Sequence, residues 1–505
     1  MDVAVKGSRY SKYWSSDGLH HASPLRMWGF TLNNVATNMY FFLMAYSSYY
    51  LVGFVGMAVI LASSFATIMR VWDGFTDPVI GYWIDKTNGK FGKSRPFMIV
   101  GNIGLHVMSF ILFHVTHQLP EGMIRTVFFF AMSMLYYIFF TFQNAITRAG
   151  QPCLTNDPKQ RPLFGMFDSI NLLVMGMAIT WALSNVFVPR YGTMYSAELF
   201  HDLWVMCFVT SVICTTIAVI AISPKDRTEF FGTGKVTKLK FSDYAEVLKN
   251  NKAIRWLIVA ACTDKIASQS NISAITVVMW GILVGNYALS GAMTIYTSAA
   301  TLIFALVGYG FIARRFGQKQ ALVVASIGAL IFNVLMILLW TFGDPTTMNL
   351  PGYEGFTGFT VFTVLFIVFT IFRSGFQAVS GNIVLPMIAD CADYEVYRSG
   401  KFVPGLMGTL FSFVDKCISS IAPMITGLLF AFIGFKDAYP DLNTPYSTSL
   451  KVLTIFVVYG MTSIGLLFNL YAMKKYPLDR EKMQEIQAEI ARIKERDSAE
   501  NQKAC

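Results

Sequence analysis

Twelve long apolar blocks, separated by short polar loops, constrain this chain more than any other feature. They run roughly over 27–51, 54–83, 97–117, 124–150, 163–188, 200–222, 253–283, 289–312, 320–342, 358–388, 405–432 and 449–473. A helix crosses the hydrocarbon core of a bilayer with about 20 apolar residues, so each block is long enough to span it, and several can tilt or project beyond it. Hydrocarbon offers the backbone no hydrogen-bond partners, which leaves the helix as the spanning form for blocks of this length. The chain reads as an all-α membrane protein. Only 14% of its 505 residues are charged, where a soluble domain carries about a quarter.

Loop charges give the orientation. Loop 84–96 carries Lys86, Lys90, Lys93 and Arg95; segment 223–252 carries Lys225, Arg227, Lys235, Lys238, Lys240, Lys249 and Lys252; loop 313–319 carries Arg314, Arg315 and Lys319. Loops 51–55 and 284–290 hold no Lys or Arg. Basic loops stay in the cytoplasm, which predicts a multi-pass protein of the plasma membrane with both termini cytoplasmic. The net charge of +10 arises in those loops, so it points to the lipid bilayer and not to nucleic acid. A functional monomer is the expectation.

Segment 223–252 divides the spans six and six. The predicted organisation is a cytoplasmic tail 1–26, a first bundle 27–222, a linker 223–252, a second bundle 253–473 and a cytoplasmic tail 474–505. Phe91-Gly92-Lys93 follows the second span and Phe316-Gly317-Gln318-Lys319 follows the eighth. An echo in the same place of each half suggests parallel repeats. In the last tail Ile486, Ile490 and Ile493 recur at helical spacing among charges, which predicts a short amphipathic helix.

Nothing points to an enzyme. GxSxG, HExxH and P-loop motifs are absent from the sequence, and with them the usual signatures of hydrolases and nucleotide-driven pumps. The seven Cys form no CxxC pair and read as small apolar residues. The six His (His20, His21, His106, His114, His117 and His201) lie at the N-terminus or near the outer face, without metal-ligand spacing. No resident cofactor or metal is predicted beyond a coupling ion.

An ionisable residue inside a span costs about 2.5–3.5 kcal/mol on insertion scales, so each needs a partner, water or a task. The second span contains Arg70, Asp73 and Asp77. Asp73 and Asp77 are spaced i and i+4, which puts both carboxylates on one helix face. Two carboxylates facing one cavity bind a hard cation or share a proton; the plain alternative is an Arg70–Asp73 pair. Pro78 cannot donate to the carbonyl of Gly74, which frees one more oxygen nearby. Asp264-Lys265 in the seventh span and Asp415-Lys416 in the eleventh point about 100° apart on their helices, so neither pair closes on itself easily. Asn34, Asn144, Arg148, Asp168 and Arg373 complete the intramembrane polar set. Asp390 and Asp393, near the cytoplasmic end of the tenth span, suit a salt-bridge gate with Lys93 and Arg95.

Asp73-x-x-x-Asp77-Pro78-x-x-Gly81, Asp85-x-Thr87 and Gly92-Lys93-x-Arg95-Pro96 together resemble the signature of the glycoside–pentoside–hexuronide:cation symporters, the melibiose-carrier-like branch of the major facilitator superfamily. The stretches 29–38, 389–401, 405–420 and 476–486 are similar to further family blocks, so the likeness spans nearly the whole chain. At Asn144 and around Asp415-Lys416 it is closer to the glucuronide-carrier branch.

The resemblance implies twelve transmembrane helices in two six-helix bundles, the major facilitator fold, and cation-coupled symport of a glycoside or hexuronide-type sugar by alternating access. The ion would be Na⁺ or H⁺. Family cation ligands fall on Asp73 and Asp77, with Thr76 and Thr141 at neighbouring positions. The sugar-holding acids of the first and fourth helices fall on Asn34 and Asn144, the fourth-helix Trp falls near Arg148, and the eleventh-helix Lys falls on Lys416. With Lys265, these form the candidate substrate set. Fewer acids and more cations suit a carboxylated sugar. The candidate cytoplasmic gate comprises Asp85, Lys93, Arg95, Asp390 and Asp393. A lysophospholipid carrier of the same superfamily and a non-transporting receptor are the alternatives.

Overall fold

An apolar block in lipid satisfies its backbone only by coiling. A helix lies at each of the twelve predicted places in the computed structural model, which describes residues 20–87, 89–157, 160–227, 230, 248–399, 411, 414–490 and 492. Among the described residues, eight of the helices are long and apolar enough to cross a membrane. The seventh predicted span is broken: Lys252–Gln269 and Ser273–Leu283 meet at a 54° bend, and together they make a ninth candidate. Val59–Lys86 has the length, at 28 residues, but Arg70, Asp73 and Asp77 lower its hydropathy. The tenth helix runs on past the predicted end of its span, over Val361–Ser399. Asp390 and Asp393 therefore ride on one continuous helix with the membrane segment.

The chain folds as two compact units, Met1–Val236 with Gly434–Asn443, and Thr237–Ile433 with Thr444–Cys505. In the first, Pro24–Ala45 packs on Ala197–Ile222 and on Arg161–Ala182, while Arg95–Phe110 packs on Met123–Ala149. Membrane helices gain little from hydrophobic burial against one another, so small residues and interhelical hydrogen bonds decide the fit. Gly104 shows the first device: a β-carbon there would stand 2.2 Å from the Phe139 ring. Asn33 shows the second, with Nδ2 donating to the Gln143 carbonyl at 2.9 Å and to Thr147 Oγ1 at 3.0 Å.

The segment Gly434–Asn443 comes from between the last two spans, yet it is built into the first unit. Tyr195 donates its hydroxyl to the Tyr439 carbonyl at 3.0 Å, Tyr49 donates to the Pro440 carbonyl at 2.9 Å, and Asp441 accepts from the Met194 amide at 3.0 Å.

In the second unit the tail helix over 480–490 presents Ile486 and Ile490 to a core that includes Met387, Cys391 and Tyr476. The apolar stripe of the predicted amphipathic helix is thus buried, while Ile493 lies outside the described residues. So do tail 1–19, the linker residues 231–247 and the start of the eleventh span through 410.

Candidate ion and substrate sites

The second and fourth spans meet at the candidate ion site. Asp73 is buried at 5% exposure. Thr141, on Met123–Ala149, donates its hydroxyl to Asp73 Oδ1 at 2.8 Å and to the Tyr137 carbonyl of its own helix at 3.0 Å. Asp77 is half-buried one turn further on. Thr76 spends its hydroxyl on the Asp73 carbonyl at 3.1 Å, within its own helix. The Arg70 guanidinium lies over the Phe41 ring, 5.1 Å from the centroid, and Tyr137 stands within electrostatic reach of Arg70 and Asp73. Two carboxylates and a hydroxyl from two helices are oxygen donors of the kind a hard cation takes.

Asn34 and Arg148, two of the candidate substrate residues of the first unit, meet at Asp168, an acid that carried no predicted role. Asn34 Nδ2 donates to both oxygens of Asp168, at 2.8 and 2.9 Å. Asn38 Nδ2 in turn donates to the Asn34 carbonyl and to Asn34 Oδ1, each at 2.8 Å. Arg148 acts electrostatically on the same carboxylate. Asn144 and Arg148 are exposed, one turn apart on the fourth span. The signal for Asp168 was present as a charge inside a span; its pairing with Asn34, across 134 residues of sequence, was not.

In the second unit Lys416 is half-buried and Lys265 is exposed. Cys262 stands within electrostatic reach of both Asp415 and Lys265, which brings the seventh and eleventh spans together at these charges.

Four of the five candidate gate residues have described surroundings within their units. Arg95 Nε lies 3.3 Å from Asp226 Oδ2. Asp226 is fully buried and also accepts the backbone N–H groups of Lys93, Ser94 and Arg95 at 2.9–3.0 Å. Among the described residues Arg95 pairs with Asp226, just past the sixth span, an acid that carried no predicted role. Asp393 accepts from Gln487 of the tail helix at 2.6 Å. Asp390 lines a cavity of about 490 Å³ with Lys319, Tyr476 and Arg480. The Asp85 side chain lies outside the described residues.

The sequence is 23% identical to an isoprimeverose transporter of Lactiplantibacillus pentosus, over 87% of this chain and 87% of that protein. It is 23% identical to a glucuronide carrier protein homolog of Escherichia coli strain K12, over 92% and 94%. A solved nucleoside transporter, NupG, shares the fold, with a TM-score of 0.58 over 90% of this chain and 99% of its own at 13% identity. The neighbours by sequence and by structure are membrane transporters, not enzymes. Residues 29–480 match the family described as MFS/sugar transport protein, and the chain belongs to that family.

Proposed function

We propose that this chain is a secondary active symporter that moves a glycoside or hexuronide-type sugar together with Na⁺ or H⁺ by alternating access. One observation carries the coupling: the Asp73 carboxylate is buried on one span with a hydroxyl from a second span donating to it, and Asp77 follows one turn later. Acids held at membrane depth are costly, and a cation or proton that neutralises them during the cycle offsets that cost. Ion binding and sugar binding are then linked by a reciprocal free energy. Thr76 donates its hydrogen to the Asp73 carbonyl and keeps its oxygen lone pairs for the ion.

The similarity to an isoprimeverose transporter and to a glucuronide carrier homolog supports a sugar as substrate. The first unit presents Asp168, Asn34 and Asn38, acceptors and donors suited to hydroxyls, with Asn144 and Arg148 nearby; the second presents Lys416 and Lys265, where a carboxylated sugar finds charge. The protein crosses the plasma membrane twelve times as a monomer with both ends in the cytoplasm.

Counterflow in proteoliposomes against glycosides, hexuronides and lysolipids, with and without Na⁺, tests the reading. Asp77→Asn should abolish gradient-driven accumulation while leaving downhill exchange. Full concentrative uptake by both Asp73→Asn and Asp77→Asn overturns the coupling site. Exchange of lysolipids without sugars replaces the substrate class with an amphiphile.

A further inference from the structure

The first unit brings together two histidines that lie 87 residues apart in sequence. His114, near the end of Arg95–Gln118, and His201, near the start of Ala197–Ile222, stand at the end of the unit away from loop 84–96. His114 Nε2 is 2.9 Å from His201 Nδ1. On its other side His114 Nδ1 is 3.2 Å from the Phe110 carbonyl oxygen, one turn earlier on the helix. A carbonyl only accepts, so this contact assigns the proton to Nδ1 and leaves Nε2 with its lone pair toward His201.

Metal-binding histidines are built this way: one ring N–H on a carbonyl fixes tautomer and orientation, and the other nitrogen ligates. The His114 ring is held in place, stacked on Phe110 with centroids 4.5 Å apart and met edge-on by Trp204 at 5.3 Å. His201 is exposed, so water can complete a coordination shell. Nitrogen ligands bind such ions at about 2.0–2.1 Å. With the two nitrogens 2.9 Å apart, the ion would see them at about 90°. That is the cis angle of square-planar and octahedral shells, which Cu²⁺ and Ni²⁺ favour, and it is narrower than the tetrahedral angle typical of Zn²⁺. Among the described residues no group of three or more His, Cys, Asp and Glu could hold a metal, so this is a two-residue site finished by solvent.

We propose that His114 and His201 bind a transition-metal dication, Cu²⁺ above Ni²⁺ and Zn²⁺, and thereby tie the third and sixth spans together. On binding, the proton that His201 Nδ1 donates to His114 Nε2 moves to His201 Nε2, so both facing nitrogens ligate as neutral imidazoles.

The test uses the purified full-length protein without a polyhistidine tag, titrated with each metal chloride while equilibrium dialysis reads binding and tryptophan emission reads proximity. One equivalent of Cu²⁺ should bind saturably and quench emission, Ni²⁺ should bind more weakly, and Zn²⁺ should compete without quenching. His114→Gln and His201→Gln should each weaken Cu²⁺ binding by about tenfold or more. Trp204→Phe should remove most of the quench and leave binding intact. Because His201 is exposed, its replacement leaves packing undisturbed, which unchanged metal-free uptake confirms. No saturable site in the wild type, or equal Cu²⁺ affinity in the wild type and both His variants, overturns the proposal.

Discussion

The two halves carry the same short turn and secure it differently. Phe91-Gly92-Lys93 leads into Arg95–Phe110, and Phe316-Gly317 leads into Gln318–Phe342, with the two glycines at φ 88° and 85°. A β-carbon in that left-handed backbone costs about 1–2 kcal/mol, so glycine serves the same need twice. Beyond the sixth span the chain reads Pro224-Lys225-Asp226-Arg227, and beyond the twelfth Pro477-Leu478-Asp479-Arg480. Both segments return to the turn of their own half. In the first unit the Asp arrives, buried, and takes three backbone N–H groups and the Arg95 side chain. In the second, Asp479 caps its own helix, accepting from the Lys482 amide at 2.8 Å. The turn is met instead by the Tyr476 carbonyl, which accepts from Lys319 Nζ at 2.7 Å, and by the Arg480 side chain over Gly317. A repeat therefore conserves where a contact is made while the group that makes it changes.

The largest effect should follow from removing the two aspartates in turn. Asp226→Ala leaves a partly buried Arg95 and three amides without their acceptor. Losing one member of a buried charged pair costs about 3–5 kcal/mol. Asp479→Ala removes a helix cap on an exposed residue, worth about 1 kcal/mol. The buried cysteines report each unit separately: Cys153 lies within electrostatic reach of Asp226 and Lys93, and Cys391 meets the Tyr476 hydroxyl at 3.6 Å. Thiol labelling on heating, with the modified cysteine identified by mass spectrometry, should show Cys153 reacting at a clearly lower temperature in Asp226→Ala and Cys391 only slightly lower in Asp479→Ala. Equal shifts would mean that the two turns are secured alike after all.

The spans were legible because lipid enforces a long apolar helix wherever the chain crosses, and charges stand out against that background. Asp73, Asp77 and Asp168 were all visible as costs. The echo at Gly92 and Gly317 and the stripe of Ile486 and Ile490 were visible too, since each is a local pattern. The partners were not. Thr141 was placed beside Asp73 by family resemblance alone. The pairing of Asn34 with Asp168, of Arg95 with Asp226 and of His114 with His201 depends on how each helix is rotated about its axis and where it crosses the next. Hydrophobic periodicity leaves that rotation loosely set on helices that are apolar all round, as membrane helices are. The Pro-x-Asp-Arg frame is the one sequence signal that could have located Asp226.

Substituting the glycines sharpens the comparison at a smaller scale. A β-carbon on Gly317 would come no nearer than 3.4 Å, to Arg480 Cβ, so Gly317→Ala should cost only the backbone strain, about 1–2 kcal/mol. On Gly92 it would fall 2.2 Å from Asp226 Oδ2 and 2.5 Å from the Asp226 carbonyl oxygen. Gly92→Ala must therefore displace the carboxylate as well, and it should destabilise the first unit by more than Gly317→Ala destabilises the second. Combined with Asp226→Ala, Gly92→Ala should add less than its separate cost, because both changes break the same contact. Full additivity in the Cys153 labelling temperature would show that Asp226 and the turn act independently.

The halves differ again at the residue between the proline and the aspartate, Lys225 in one and Leu478 in the other, buried at 1% and 3% exposure. Leucine there joins an apolar core. Lysine must place its ammonium somewhere, and it donates to the His21 carbonyl at 2.6 Å and the Leu154 carbonyl at 2.8 Å, with His20 Nδ1 at 3.3 Å. Burial, reinforced by the positive charge of Arg26, pulls its pKa down to about 8. In the unfolded chain a lysine titrates near about 10.4. Between those values the folded protein has released a proton that the unfolded chain still holds, so stability should rise with pH over that window, by at most about 1.4 kcal/mol per pH unit for one proton. Below about pH 8 both states hold the proton and this residue contributes no slope. Lys225→Leu, which writes the second half's residue into the first, should abolish the alkaline rise while leaving two carbonyls short of a donor, a loss of about 1–3 kcal/mol at neutral pH. The measurement is the Cys153 labelling temperature from pH 7 to 10 in wild type and variant. Parallel curves would mean that the carbonyl cage holds the ammonium charged despite its burial, and that the two halves differ here in packing alone.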